Sequence, residues 1–127
     1  MATGNYLQDK GYNAAAAITK FRAVKFSALE TVTPITAEVD VPCGIAQVAV
    51  SAGEIVRGKG VSVRRFGASE MEASIAINPG QLVSITADGR AQVAVATERV
   101  IGVCDEGAAN AGERIRVTLS LPGFILA

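Results

Sequence analysis

Apolar and polar positions alternate with a period of two along most of this chain, the pattern of half-buried strands. Residues 20–28, Lys-Phe-Arg-Ala-Val-Lys-Phe-Ser-Ala, put Arg22, Val24, Phe26 and Ala28 on one face and Phe21, Ala23, Lys25 and Ser27 on the other. A Phe on each face predicts a strand covered on both sides. β-Branched runs follow at 31–33, 35–41 and 45–50, divided by Pro34 and by Pro42-Cys43-Gly44. Runs at 54–57 and 61–66 flank Gly58-Lys59-Gly60, which reads as a hairpin connection. Residues 71–77 lead into the turn signal Asn78-Pro79-Gly80. Runs at 82–86 and 92–96 flank Asp88-Gly89, a pair that predicts a type I′ turn because both central residues of that turn need positive φ. Runs at 100–104 and 114–121 complete the set. Such a series of short strands, without helix–strand alternation, predicts an all-β chain: a compact β-barrel or β-sandwich.

Residues 1–13 stand apart. They show neither period, and they read as an extended N-terminal arm ahead of a single β domain at 14–127. Both tyrosines of the protein, Tyr6 and Tyr12, lie here with Leu7. Tyr offers a broad contact surface and a hydroxyl, so Tyr6, Leu7 and Tyr12 are the candidate contacts of a docking segment, to a partner or between subunits, the competing reading being a frayed terminus. Asn13 followed by four alanines is a candidate start for a short helix. The β domain also carries a weak internal repeat. Gly44-Ile45-Ala46 precedes Ala52-Gly53-Glu54 and a strand ending Phe66-Gly67; Gly102-Val103-Cys104 precedes Ala111-Gly112-Glu113 and a strand ending Pro122-Gly123. Two repeated halves and a chance reuse of Gly in turns both fit that pattern.

Composition narrows the function. Half of the 127 residues are hydrophobic and 19% are charged, a globular balance, and Ala, Val and Gly fill 50 positions, so the core is built from thin side chains. Twelve basic and twelve acidic residues cancel. That argues against nucleic acid, which needs a positive excess on one face, and against electrostatic docking to a membrane. Residues 1–12 lack the apolar stretch of a secretory signal, and no apolar run reaches membrane-span length, so synthesis in a reducing cytoplasm is expected. Cys43 and Cys104 are too few for a disulfide framework; a single bridge between them is left open, and small buried hydrophobes is the simplest reading.

No histidine is present, which removes the usual general base and His-based metal sites. The carboxylate pairs Glu70/Glu72, Glu38/Asp40 and Asp105/Glu106 read as polar faces rather than as acids held across a cleft. Lys59 between two glycines lacks phosphate-loop spacing. Arg64-Arg65 points to opposite faces of a strand and reads as an ion-pair donor site. A non-enzymatic chain with no catalytic, cofactor-binding or metal-ligating residues is therefore expected. A carbohydrate- or receptor-binding β module of a phage or bacterial surface is the alternative, opposed by the missing Trp and scarce Tyr.

Several of these segments resemble one family. They are Asn5-Tyr6-Leu7-Gln8 in the arm, the run from Glu98 through Arg99-Val100-Ile101-Gly102-Val103-Cys104, the Ala/Gly-rich loop to Ala111-Gly112-Glu113, and the closing strand 115–121 ending in Pro122-Gly123. Together they resemble the small head decoration, or capsid cement, proteins of tailed bacteriophages, over the arm and the C-terminal half. The resemblance implies a compact β fold on the outer surface of the mature head, a homotrimer, and the major capsid protein as partner, with neighbouring capsid subunits bridged and the head stabilised. The stretch 38–77 is longer than the simplest members of that family need.

Overall fold

A computed structural model describes residues 9–127. Ten strands and one short helix follow in order: β1 (Asp9–Ala14), β2 (Ala23–Ala28), β3 (Thr31–Pro34), β4 (Gly44–Ala46), α1 (Ala52–Val56), β5 (Val61–Arg64), β6 (Gly67–Glu72), β7 (Leu82–Ile85), β8 (Ala91–Val93), β9 (Arg99–Glu106) and β10 (Arg114–Ile125). The first five strands close into a barrel in the order β1-β3-β2-β4-β5. The last five form an open sheet in the order β6-β10-β9-β7-β8. The all-β expectation holds, and it takes the form of a barrel joined to a sheet.

Two apolar cores result, and one wall serves both. Tyr12, Val24, Val32, Ala46, Val61 and Val63 fill the barrel. Met71, Ile77, Ile85, Ile101 and Ile115 lie under the sheet, joined by Ala23, Ile35 and Ile45 from the barrel. Neighbours Ala23 and Val24 in β2, and Ile45 and Ala46 in β4, therefore face different cores, because successive strand residues point to opposite sides. The two-sided covering expected of the β2 segment is real at Ala23 and Val24 and ends beyond them, where Phe26 is half exposed. Gly44 and Gly102 start or sit within their strands where a side chain would collide with the backbone carbonyls of Arg64 and Thr118, so each permits a close strand approach.

Polar contacts fasten the two units. The Glu72 N–H donates to the Phe21 carbonyl at 3.0 Å and the Ala23 N–H to the Gly89 carbonyl at 2.9 Å. Between these bonds Arg22, Glu72, Arg90 and Asp88 form a ring of alternating charge, with Arg22–Glu72 at 3.3 Å, Glu72–Arg90 at 3.8 Å, Arg90–Asp88 at 3.0 Å and Asp88–Arg22 at 3.8 Å. Burial pushes the Asp88 carboxyl up, and hydrogen bonds from Thr86 and Arg90 outweigh it, so its pKa is lowered. Gln47 adds a bond to the buried Ser69 hydroxyl at 3.0 Å.

Several local expectations are corrected. Residues 54–57 are not a strand: Ala52–Val56 is a helix held by a reciprocal capping box, Ser51 Oγ accepting from the Glu54 N–H and Glu54 Oε1 from the Ser51 N–H. Gly58-Lys59-Gly60 thus links helix to strand. Residues 35–41 form a turn in place of a strand, because one Asp40 carboxylate oxygen accepts from the Thr36 and Ala37 N–H groups at 3.0 Å each and from Lys25 Nζ at 2.8 Å. At the β7–β8 connection only Gly89 has positive φ, so the turn is not type I′; Gly89 N–H closes onto the Thr86 carbonyl, as in a type I turn ending on a left-handed residue. Asn13 and Ala14 finish β1, and no helix follows: the Asn13 and Ala15 N–H groups donate to Glu30 and Val32 of the neighbouring hairpin. The closing strand runs past Pro122-Gly123 to Ile125 through a register irregularity between Leu119 and Phe124.

Candidate functional site

Of the three candidate contact residues, Tyr6 and Leu7 lie outside the described residues, and Tyr12 is corrected. It sits in β1 opposite Val61 of β5 and is only 5% exposed. Its ring meets the half-exposed ring of Phe26 edge-on, 5.5 Å between centroids. Tyr12 and Ala14 face inward while Gly11 and Asn13 face out, a period of two too short to stand out in a polar segment. An arm reaching to residue 13 is therefore not what the structure shows from Asp9 onward: Asp9, Lys10, Gly11 and Tyr12 pair with Arg64, Val63, Ser62 and Val61.

The chemistry-bearing residues are spread out and engaged. Arg64 holds Asp9 through two bonds, Nε–Oδ1 at 2.7 Å and Nη2–Oδ2 at 3.1 Å, as an ion-pair donor should. Lys59 donates to Glu54 at 2.8 Å. That bond, with the Ser51 N–H, holds the Glu54 carboxyl down at about 2. Cys43 and Cys104 are free, buried and in separate cores. Burial pushes the Cys43 thiol up to about 11 against the opposing charge of Arg65, so it is protonated at neutral pH and is a poor nucleophile. Among the described residues no three Cys, Asp or Glu groups gather as a metal site.

What remains is a surface. An open groove of about 1250 Å³ runs between the barrel and the far half of β10. β1 contributes Asp9, Lys10 and Gly11, β2 contributes Lys25 and Phe26, and β10 contributes Leu121 and Pro122. The segment before β4 adds Val41, Pro42 and Cys43, and the β5–β6 link adds Arg65 and Phe66. Phe26 is 50% exposed and Phe66 46%, with the Arg65 guanidinium 5.9 Å above the Phe26 ring. Half-exposed aromatic rings beside a planar cation are the side chains that protein interfaces favour. Sequence reading missed this site because its parts come from five separate stretches of chain.

The chain matches the family model described as phage cement protein over residues 1–119. It belongs to the phage cement protein family. This cement protein is thus a structural component associated with the phage capsid, as the segments around Gly102 and Glu113 suggested. Among solved structures it is similar to the head fiber N base of bacteriophage phi29, with a TM-score of 0.71 and 19% identity over 94% of this chain and 98% of that one. That likeness establishes a shared fold, and it extends through the barrel as well as the sheet. No curated protein matches the cement protein.

Proposed function

We propose that the protein binds the outer surface of the phage capsid and stabilises the head by bridging major capsid subunits. The observation that carries the reading is the family match over nearly the whole described chain. The surface agrees with it. A balanced charge and a groove that sets half-exposed aromatic rings beside charged side chains of both signs suit contact with another protein better than contact with nucleic acid or lipid. A cement repeated over a lattice gains from avidity, so each contact can be weak. The protein acts as a homotrimer on that lattice, with Tyr6 and Leu7 among its contacts. Two separated, unbridged thiols fit synthesis in the reducing cytoplasm of the host.

The test is decoration of purified mature heads that lack the protein. Added protein should co-sediment with heads up to a fixed stoichiometry, read by gel densitometry, and should raise the temperature at which heads release DNA. Replacing Tyr6 and Leu7 by Ala should lower occupancy at limiting concentration. Heads that neither bind the protein nor gain stability would overturn the reading, and a stable twofold dimer in the ultracentrifuge would overturn the trimer.

A further inference from the structure

We infer that Lys20 and Arg114, gathered on the ring of Phe21 at the junction of barrel and sheet, form a cationic docking site for an acidic segment of the capsid subunit; this rests on the capsid-bridging reading above. Phe21 lies in the turn before β2 and is buried, yet it belongs to neither apolar core. Its backbone sits in the left-handed region, at φ 61°, which strains a bulky residue. Two bonds hold it there: the Phe21 N–H donates to the Ala46 carbonyl at 2.8 Å, and the Phe21 carbonyl accepts from the Glu72 N–H at 3.0 Å. The ring so placed gathers two cations. Arg114, the first residue of β10, brings its guanidinium carbon to 4.5 Å from the ring centroid, and Lys20 Nζ lies at 4.8 Å.

Neither cation is neutralised. Lys20 and Arg114 are exposed, and neither has a carboxylate within 4.0 Å among the described residues. The acids beside them are committed elsewhere. Glu72, directly opposite Arg114 in the β6–β10 ladder, is shared by Arg22 and Arg90. Asp88 is shared by the same two arginines. Glu113, next to Arg114 in the chain, turns its carboxylate to the Ala109 and Asn110 N–H groups. The ring of four charges is neutral in itself, so Lys20 and Arg114 stand beside it as a local positive excess on a chain with no net charge. Their complement is a protein surface that carries carboxylates. Exposed charges of this kind speed encounter and fix orientation more than they add affinity, which suits a protein that must seat the same way at every position of a lattice.

The test compares two variants with the same change of net charge. Lys20→Gln combined with Arg114→Gln removes both cations. Arg57→Glu shifts the charge equally at an exposed residue that ends α1. On purified heads at about 50 mM salt, half occupancy should need about 10-fold more of the double variant than of the intact protein, and no more of Arg57→Glu. At about 0.5 M salt, where exposed charges are screened within a few ångströms, the double variant and the intact protein should bind alike. Equal decoration by the double variant at low salt overturns the inference and leaves capsid binding standing. An equal loss in Arg57→Glu also overturns it, because the effect is then one of net charge. A loss that persists unchanged at high salt overturns it as well, because the two side chains then serve only to hold Phe21 in place. If the intact protein retards DNA in a gel and the double variant does not, the ligand is phosphate and the assignment to an acidic protein segment fails. Failure of the intact protein to bind heads overturns the capsid reading and this inference with it.

Discussion

The barrel and the sheet solve the same packing problem with different side chains. Inside the barrel are Val24, Val32, Val50, Val61 and Val63 with Ala14, Ala46 and one ring, Tyr12. Under the sheet are six isoleucines, two of them (Ile35 and Ile45) reaching in from the barrel, with Met71 and Leu119. A closed barrel of five strands has a narrow interior, which thin residues fill. An open sheet needs thicker side chains to reach the layer beneath it. The units also differ in their edges. The barrel closes on itself, whereas the sheet has β6 and β8 as its two edge strands, β8 carrying one isolated bridge from Ala91 to Ala73 on its outer side. The groove lies where the two units meet, lined by the barrel and by Leu121 and Pro122 of β10.

The largest effect should come from opening the barrel. Removing residues 1–12 takes away the ladder of β1 on β5 together with Tyr12, and should abolish folding, seen as loss of the cooperative melt by circular dichroism. Tyr12→Ala alone should cost about 3–5 kcal/mol in urea denaturation, as for other buried aromatic truncations. A barrel that tolerates either change would make β1 an accessory strand.

Next come the two cores. Ile101→Ala should cost about 2–5 kcal/mol and Val32→Ala about 2 kcal/mol, in proportion to the methyl groups removed. Both should shift a single transition, because β2 and β4 line both cores. Two separate transitions in calorimetry would show that the units fold independently.

The ring of charge at the junction should contribute less. A double-mutant cycle on Arg22→Ala and Glu72→Ala should give a coupling of about 1–2 kcal/mol, since both side chains are partly buried and hydrogen-bonded. A coupling near zero would leave the backbone bonds and the shared wall as the fastening.

The smallest effect should be acid dependence within the barrel. The Lys25 hydrogen bond and the Thr36 and Ala37 N–H groups hold the Asp40 carboxyl at about 2, below the ordinary 3.8. A carboxyl depressed on folding adds stability that is complete above its unfolded pKa and is lost as pH falls through the folded value. Stability measured between about pH 4 and pH 2 should fall less steeply in Asp40→Asn than in the intact protein. Equal slopes would assign the acid dependence to other carboxylates.

The sequence alone determined the class of fold and the exclusion of His-based chemistry. Alternation with a period of two in 61–64 and 114–121 requires half-buried strands wherever they pack. The absence of histidine is absolute in any conformation. The short motifs around Gly102 and Glu113 pointed to the family. A further local signal was present and unread: Ser51 followed by Glu54 is a capping box, which made residues 52–56 a helix. Tertiary structure decided what depends on partners distant in the chain. Thr36 to Val41 alternate like a strand, yet the Asp40 carboxylate captures their backbone together with Lys25. Tyr12 looked available for docking until β5 and Phe26, 49 and 14 residues away in sequence, enclosed it. The groove is the extreme case, because Asp9, Phe26, Pro42, Phe66 and Leu121 share no local pattern and become neighbours only when the barrel closes against β10.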